Sequence, residues 1–277
     1  TRDKGLIRYL LRHRHSTPFE MVELKFHAKM PIFVARQWVR HRTANINEYS
    51  LRYSEARDDF YIPKKEDIHF QSKFNKQGRD ADEVPDALKE KVIRYFMEMS
   101  ENSFEIYQDL NEAGIARELA RAILPVNLYT EWYWKNDLHN IFHFLKLRMD
   151  THAQYEIRVF AEGMAKFVKQ VAPIAYEAFE DYVLNGMYLS SIEKSVLTKK
   201  IPDHITKEIY DDIVYRIVAS MNATKPRTEN ELYVLYQETG GCDSIEDFEI
   251  KWNAGNIETG NVFELREFKA KFKDIFI

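Results

Sequence analysis

The spacing of apolar residues changes several times along the chain, and each change marks an element. Leu6, Ile7, Leu10 and Leu11 recur at helical spacing and predict a helix over residues 4–15. Thr17-Pro18-Phe19-Glu20 has the order of a capping box, with Thr17 at the N-cap, Pro18 at N1 and Glu20 at N3. The period then falls to two. Val22, Leu24, Phe26, Ala28 and Met30 alternate with Glu23, Lys25, His27 and Lys29, which predicts a half-buried strand with His27 solvated on its polar face. Pro31 opens a helix running from Ile32 to about Val39. On it Arg36 and Arg40 share a face beside Gln37, and Trp38 is assigned to the core. Residues 60–85, with Pro63, Pro85 and many charges, read as a surface loop. Leu88, Val92, Tyr95, Phe96, Met99, Phe104, Tyr107 and Leu110 mark a long amphipathic helix over 86–113, stopped by Gly114. A short helix over 115–123 ends before Pro125, and the aromatic run Val126–Trp134 predicts a second strand, with Asn136-Asp137 as a turn. Residues 138–172 read as one helical tract ended by Pro173. Further on, helices over 206–221 and 263–276 enclose turn-rich stretches at Gly240-Gly241 and 253–260.

This order of elements predicts an α/β (α+β) fold: a central mixed or antiparallel sheet flanked by long helices, with a mostly helical C-terminal appendage. The length of 277 residues, 45% of them hydrophobic, suffices for one large domain plus that appendage. Residues 1–186 form the expected catalytic domain and 187–277 an accessory region, in which 16 acidic side chains stand against 12 basic ones.

The formal net charge of −4 excludes a globally basic nucleic-acid binder. The single cysteine, Cys242, excludes an internal disulfide and a cysteine-based zinc cluster, and suits the cytoplasm. The sequence holds no run of apolar residues long enough to span a membrane. On this neutral body Arg36, Arg40, Arg42, Arg52 and Arg57 are concentrated, a local anion site suited to a small phosphorylated ligand. No metal site is expected. His139 and His143 lack an acidic residue in the same turn, and His152 and Glu156 are spaced to pair with each other along a helix.

The densest chemistry lies in Arg40-His41-Arg42-Thr43-Ala44-Asn45-Ile46-Asn47-Glu48-Tyr49-Ser50-Leu51-Arg52-Tyr53. Arg-His-Arg, a seven-residue gap holding Asn-Glu, then Ser and Arg-Tyr, resembles the signature of flavin-dependent thymidylate synthases. Asn45 replaces the usual Ser, and Leu51 a frequent Gly. Two further blocks, Ala120–Thr130 and Leu145–Arg158, resemble the same family, so the likeness runs from about Lys4 to Gly186. The family's usual first strand is missing from this chain, which begins at Thr1 without Met, so an N-terminal piece is expected to be absent.

The resemblance implies reductive methylation of dUMP to dTMP. Methylenetetrahydrofolate would supply the carbon, FAD would carry the hydride, and NADPH would recharge the flavin. It implies a cytoplasmic homotetramer whose sites draw on several subunits, with no nucleic acid and no membrane as partner. Carried over by position, dUMP would meet Gln37, Trp38, Val39, Arg40, Glu48, Tyr49, Ser50, Leu51, Arg52, Arg121 and Arg148. FAD would meet Thr17, Arg40, His41, Arg42, Thr43, Glu48, Asp137, His139 and His143, with Asp137 replacing a usual Asn. Arg148 takes the catalytic role, as a fixed cation beside the N3 region of the pyrimidine that stabilises developing negative charge. Ser50 has no His or Lys base at a fixed spacing, so it is assigned to binding and not to nucleophilic attack. The alternative reading of the same arginines is a non-catalytic nucleotide- or RNA-binding homologue.

Overall fold

A computed structural model describes residues 2–72, 79–80 and 82–194. The helices expected over 206–221 and 263–276, and Cys242, lie outside the described residues. In chain order the elements are α1 (Arg2–Arg12), α2 (Thr17–Glu20), β1 (Glu23–Pro31), α3 (Ile32–Trp38), β2 (Asn45–Glu48), α4 (Asp86–Glu112), α5 (Arg117–Ala120), β3 (Tyr129–Asp137), α6 (Leu138–Arg148), α7 (Tyr155–Val171) and α8 (Pro173–Phe179). They fall into two compact units. One is His15–Pro173; the other joins the chain on either side of it.

In the larger unit the sheet is antiparallel with order β1-β3-β2, so the longest aromatic strand lies in the middle. Glu23 pairs with Asp137 at one end of the β1–β3 ladder and Pro31 with Tyr129 at the other. The short β2 runs along the far side, Asn45 opposite Lys135 and Glu48 opposite Trp132. The signature stretch therefore contains an edge strand.

β3 alternates in burial: Trp132, Trp134 and Asn136 are buried and Tyr133 is exposed. Trp38 of α3 is wholly buried against this face. Its ring stacks on Phe144 of α6 at 5.0 Å and meets Trp132, Trp134 and Phe160 at 5.5–5.7 Å. A second, smaller core lies under α4: Tyr107, Ala120, Leu128 and Ala56 are buried together, with Leu51, Phe60, Phe104 and Leu124 packed on them. The Tyr107 hydroxyl accepts from the Ala56 N–H at 3.0 Å. Gly114, at φ +76°, ends α4 in the left-handed conformation that a side chain would oppose.

Four local expectations are corrected. Ser16, not Thr17, precedes α2, and no side chain caps it; the Ser16 carbonyl takes the first helical N–H bonds, from Phe19 and Glu20. Asn136-Asp137 is not a turn. Both residues pair in β3, and Asp137 caps α6 through the Asn140 N–H at 2.8 Å and the Asn140 side chain at 2.7 Å. The tract 138–172 is two helices. Asp150 breaks it by accepting the His152 N–H at 2.8 Å on its side chain, while its carbonyl accepts from Ala153 at 2.9 Å. His152 therefore meets Asp150, and Glu156 faces Tyr61 and Arg79 instead. His27 is exposed on the polar face of β1, as expected, where it stacks on Tyr133 at 4.8 Å and lies 3.3 Å from Glu131.

In the smaller unit Arg8 is almost fully buried. It pairs with Asp181 and Glu177 and lies over the ring of Tyr182 at 4.7 Å.

Candidate active site

The C-terminal turn of α3 and the face of α6 bring the signature residues to one cleft. Arg40, His41, Arg42 and Thr43 follow α3, with the His41 N–H donating to the Trp38 carbonyl at 3.0 Å. Asn140, His143, Leu147 and Arg148 come from α6, and together these eight residues line a cavity of about 500 Å³. Three arginines and no acidic residue face it. The shared Trp38–Phe144 stack fixes the two walls relative to each other, because Phe144 precedes Arg148 by one helical turn.

Within the cleft, Arg148 Nε donates to His41 Nε2 at 3.0 Å. The His41 ring stands edge-on to Phe144 at 4.9 Å and to His143 at 5.9 Å. Burial, then the charge of Arg148 and the neighbouring His143, holds its pKa down at about 4, so His41 is a neutral acceptor at pH 7. Burial also lowers the pKa of Arg148, which stays a cation. Its Nη1 and Nη2 have no partner among the described residues. Gln37 Oε1, one helical turn before His41, is likewise buried without a partner among the described residues.

The second group of expected binding residues is elsewhere. The Tyr49 N–H donates to the Glu131 carbonyl at 2.9 Å, which puts the chain after β2 at the Glu131 end of β3. The Thr130 hydroxyl donates to Glu48 at 2.7 Å. The Ser50 hydroxyl accepts from the Arg52 N–H at 3.3 Å, and Arg52 reaches Glu118 at 3.2 Å. Arg121 follows three residues after Glu118. Arg117 braces the loop through Glu55 at 2.8 Å and the Tyr53 carbonyl at 3.3 Å. Leu51 packs on the second core, and Arg14 alone among the described non-glycine residues has positive φ, so the Gly-to-Leu departure brings no backbone strain.

Thr43, just before β2, and Asn140, in the first turn of α6, belong to the end of β3 where β2 starts opposite Lys135, while Arg148 is at the far end of α6. In one chain Arg40, His41, Arg42, Thr43, His143 and Arg148 line the cleft, and Glu48 through Arg52 with Arg121 are outside its lining. Thr17, Asp137 and His139 are outside the cleft lining, and the side chain of Trp38 is core. Asn140 and Leu147 line the cleft without having been expected there. Their signal was the i, i+3, i+7 spacing of 140, 143 and 147 on one face of α6.

A second cavity, of about 460 Å³, is bordered by Phe33, Tyr61, Phe96, Arg79 and Glu156. The Tyr61 hydroxyl and Arg79 both donate to Glu156, at 2.9 and 2.7 Å, and burial with this carboxylate pushes the Tyr61 pKa well up.

Comparison with known proteins gives the family. Residues 1–174 match the family described as thymidylate synthase complementing protein. The flavin-dependent thymidylate synthase of Rickettsia bellii (strain RML369-C) is 52% identical over 211 residues, covering 72% of this chain and 72% of the relative. That of Dictyostelium discoideum is 49% identical over 211 residues, covering 75% and 68%. Among solved structures, the UMP/dUMP methylase PolB from Streptomyces cacaoi bound with 5-Br UMP is 36% identical, with a TM-score of 0.60 over 64% of this chain and 81% of that one. With the cationic cleft, the signature and the two further blocks falling in the matched region, the chain belongs to the flavin-dependent thymidylate synthase family.

Proposed function

We propose that this protein methylates dUMP to dTMP, taking the carbon from methylenetetrahydrofolate and using FAD and NADPH, as a cytoplasmic homotetramer. The observation that carries the reading is the cleft in which Arg40, His41 and Arg42 meet Arg148. Its donor set fits a flavin nucleotide. Arg40 and Arg42 suit a pyrophosphate, while Thr43 and His143 offer hydrogen-bonding side chains to the remainder. When bound, the flavin supplies the hydride.

The chain's own residues do the rest by position and charge. Arg148 presents its free Nη edge to the uracil and stabilises negative charge that develops as C6 accepts hydride; removing one such donor costs about 10²–10³ in rate. Arg52, Arg121 and Ser50, with Gln37 and Arg40, suit the phosphate of dUMP. Ser50, Arg52 and Arg121 are not in the lining of the cleft that holds Arg40 and Arg148 in one chain. That separation supports an oligomer in which one subunit's cleft faces another's Glu48–Arg52 loop. Residues 1–186 serve as the catalytic domain and 187–277 as an accessory region.

The test is tritium release from dUMP labelled at C5. Release that requires FAD, NADPH and methylenetetrahydrofolate together establishes the reaction. Absence of release from flavin-loaded protein, over a range of substrate concentrations, refutes it.

A further inference from the structure

Arginine at the head of a cleft is of limited use if its fork can swing; a planar donor set must be held to face the ligand. In this protein one contact does that. Arg148 sits at the last turn of α6, and the edge of its guanidinium that carries Nε is occupied by His41 at 3.0 Å. That contact uses Nε, and neither Nη1 nor Nη2 meets a described residue.

His41 is in turn fixed by three restraints that do not involve Arg148. Its N–H is tied to the Trp38 carbonyl, its ring stands against Phe144, and Trp38 stacks on that same Phe144 inside the core. The pair is thus anchored at both ends to one aromatic cluster. The charged and titratable groups facing His41 are Arg148 and His143 from α6, with Arg40 and Arg42 beside it in the chain. None is acidic, so nothing there favours an imidazolium.

We propose that His41 is the positioning residue for Arg148. Its neutral ring accepts at Nε2 and aims the guanidinium fork into the cleft. The kinetic part of this rests on the proposed thymidylate synthase reading. A consequence follows for the cofactor: with Nε2 occupied, His41 can offer a flavin only its Nδ1–H, as a donor.

Two measurements test it. The first uses ¹⁵N NMR of the full chain, which reports the His41 tautomer and its titration whether or not the protein turns over. The expected result is a Nδ1–H ring at pH 7 that gains a proton only near pH 4, and a titration moved upward in Arg148→Ala, where burial and His143 still act but the Arg148 charge does not. A wild-type ring protonated at Nε2, or one titrating near 6.5, overturns the proposal.

The second compares His41→Phe, which keeps a ring without an acceptor, with His41→Gln, which restores an acceptor. With flavin occupancy followed by its visible absorbance, His41→Phe should lose about a hundredfold in kcat while KM for dUMP changes less. His41→Gln should recover most of that loss, and its kcat should lack the fall towards pH 4 expected of the wild type. Equal kcat in the Phe variant and wild type overturns the proposal. If His41→Phe loses its flavin, the Gln variant and the ring titration decide. A wild-type protein that binds flavin without turnover sinks the functional reading, and the ring titration still decides the pairing.

Discussion

Trp38 offers the sharpest test of how the site is supported. It is fully buried and touches four aromatic rings, yet its indole N–H has no hydrogen-bond partner among the described residues. Burying a tryptophan side chain removes about 200 Å² from water. At about 25 cal/mol per Å² this is about 5 kcal/mol, an upper value because the unfolded chain already hides some of that surface. Trp38→Ala should therefore cost about 3–5 kcal/mol, as large-to-small changes in packed cores do. Trp38→Phe keeps the stack on Phe144 and gives up no hydrogen bond, so it should cost about 1–2 kcal/mol. Urea unfolding followed by circular dichroism, at one fixed protein concentration, gives both values. If the alanine variant loses under about 1 kcal/mol, or the phenylalanine variant loses as much as the alanine, the rings are not a close-packed unit. The Trp38–Phe144 route to Arg148 would then fail with them.

Arg148→Ala should leave flavin bound and lower turnover at least about a hundredfold, read by tritium release at saturating dUMP; full activity would remove it from the chemistry. Asp137→Ala should destabilise by about 1 kcal/mol through loss of the α6 cap, and Asp137→Asn by much less, in thermal unfolding. Gly114→Ala should cost about 1 kcal/mol from its φ of +76° alone, since a Cβ there would meet nothing within 4 Å. Burial pushes the Glu156 carboxyl up, but its own backbone N–H, Arg79, Tyr61 and Gln154 together hold it below the usual range. The stability it contributes is present above about pH 4.3 and is lost as pH falls through its lower folded value. The melting-temperature gap between wild type and Glu156→Gln should narrow on acidification below pH 4.3.

The sequence made most of the site's chemistry legible, because the signature and the α6 face are local patterns. Arg40 to Thr43 are adjacent in the chain, and His143 and Arg148 sit on one helix. Periodicity also found β1 and α4, and aromatic composition found most of β3. What they missed are features set by single polar side chains. Asp150 broke a tract whose apolar spacing ran on unchanged, and Asp137 became a helix cap where composition suggested a turn. The strand at 45–48 was missed because all four residues are exposed; its pairing with β3, not an apolar pattern, makes it a strand. The His41–Arg148 contact spans 107 positions and has no local signature.

The position of Arg52 outside the cleft lined by Arg148 has a genetic consequence. If each working site takes its cleft from one chain and its loop from another, Arg148→Ala and Arg52→Ala damage different halves of it. Two inactive chains of these kinds, made in the same cell, would assemble at random into mixed particles. About a quarter of the sites would then draw both halves undamaged. Two null alleles would complement each other within one gene, whereas two alleles damaged in the same half would not.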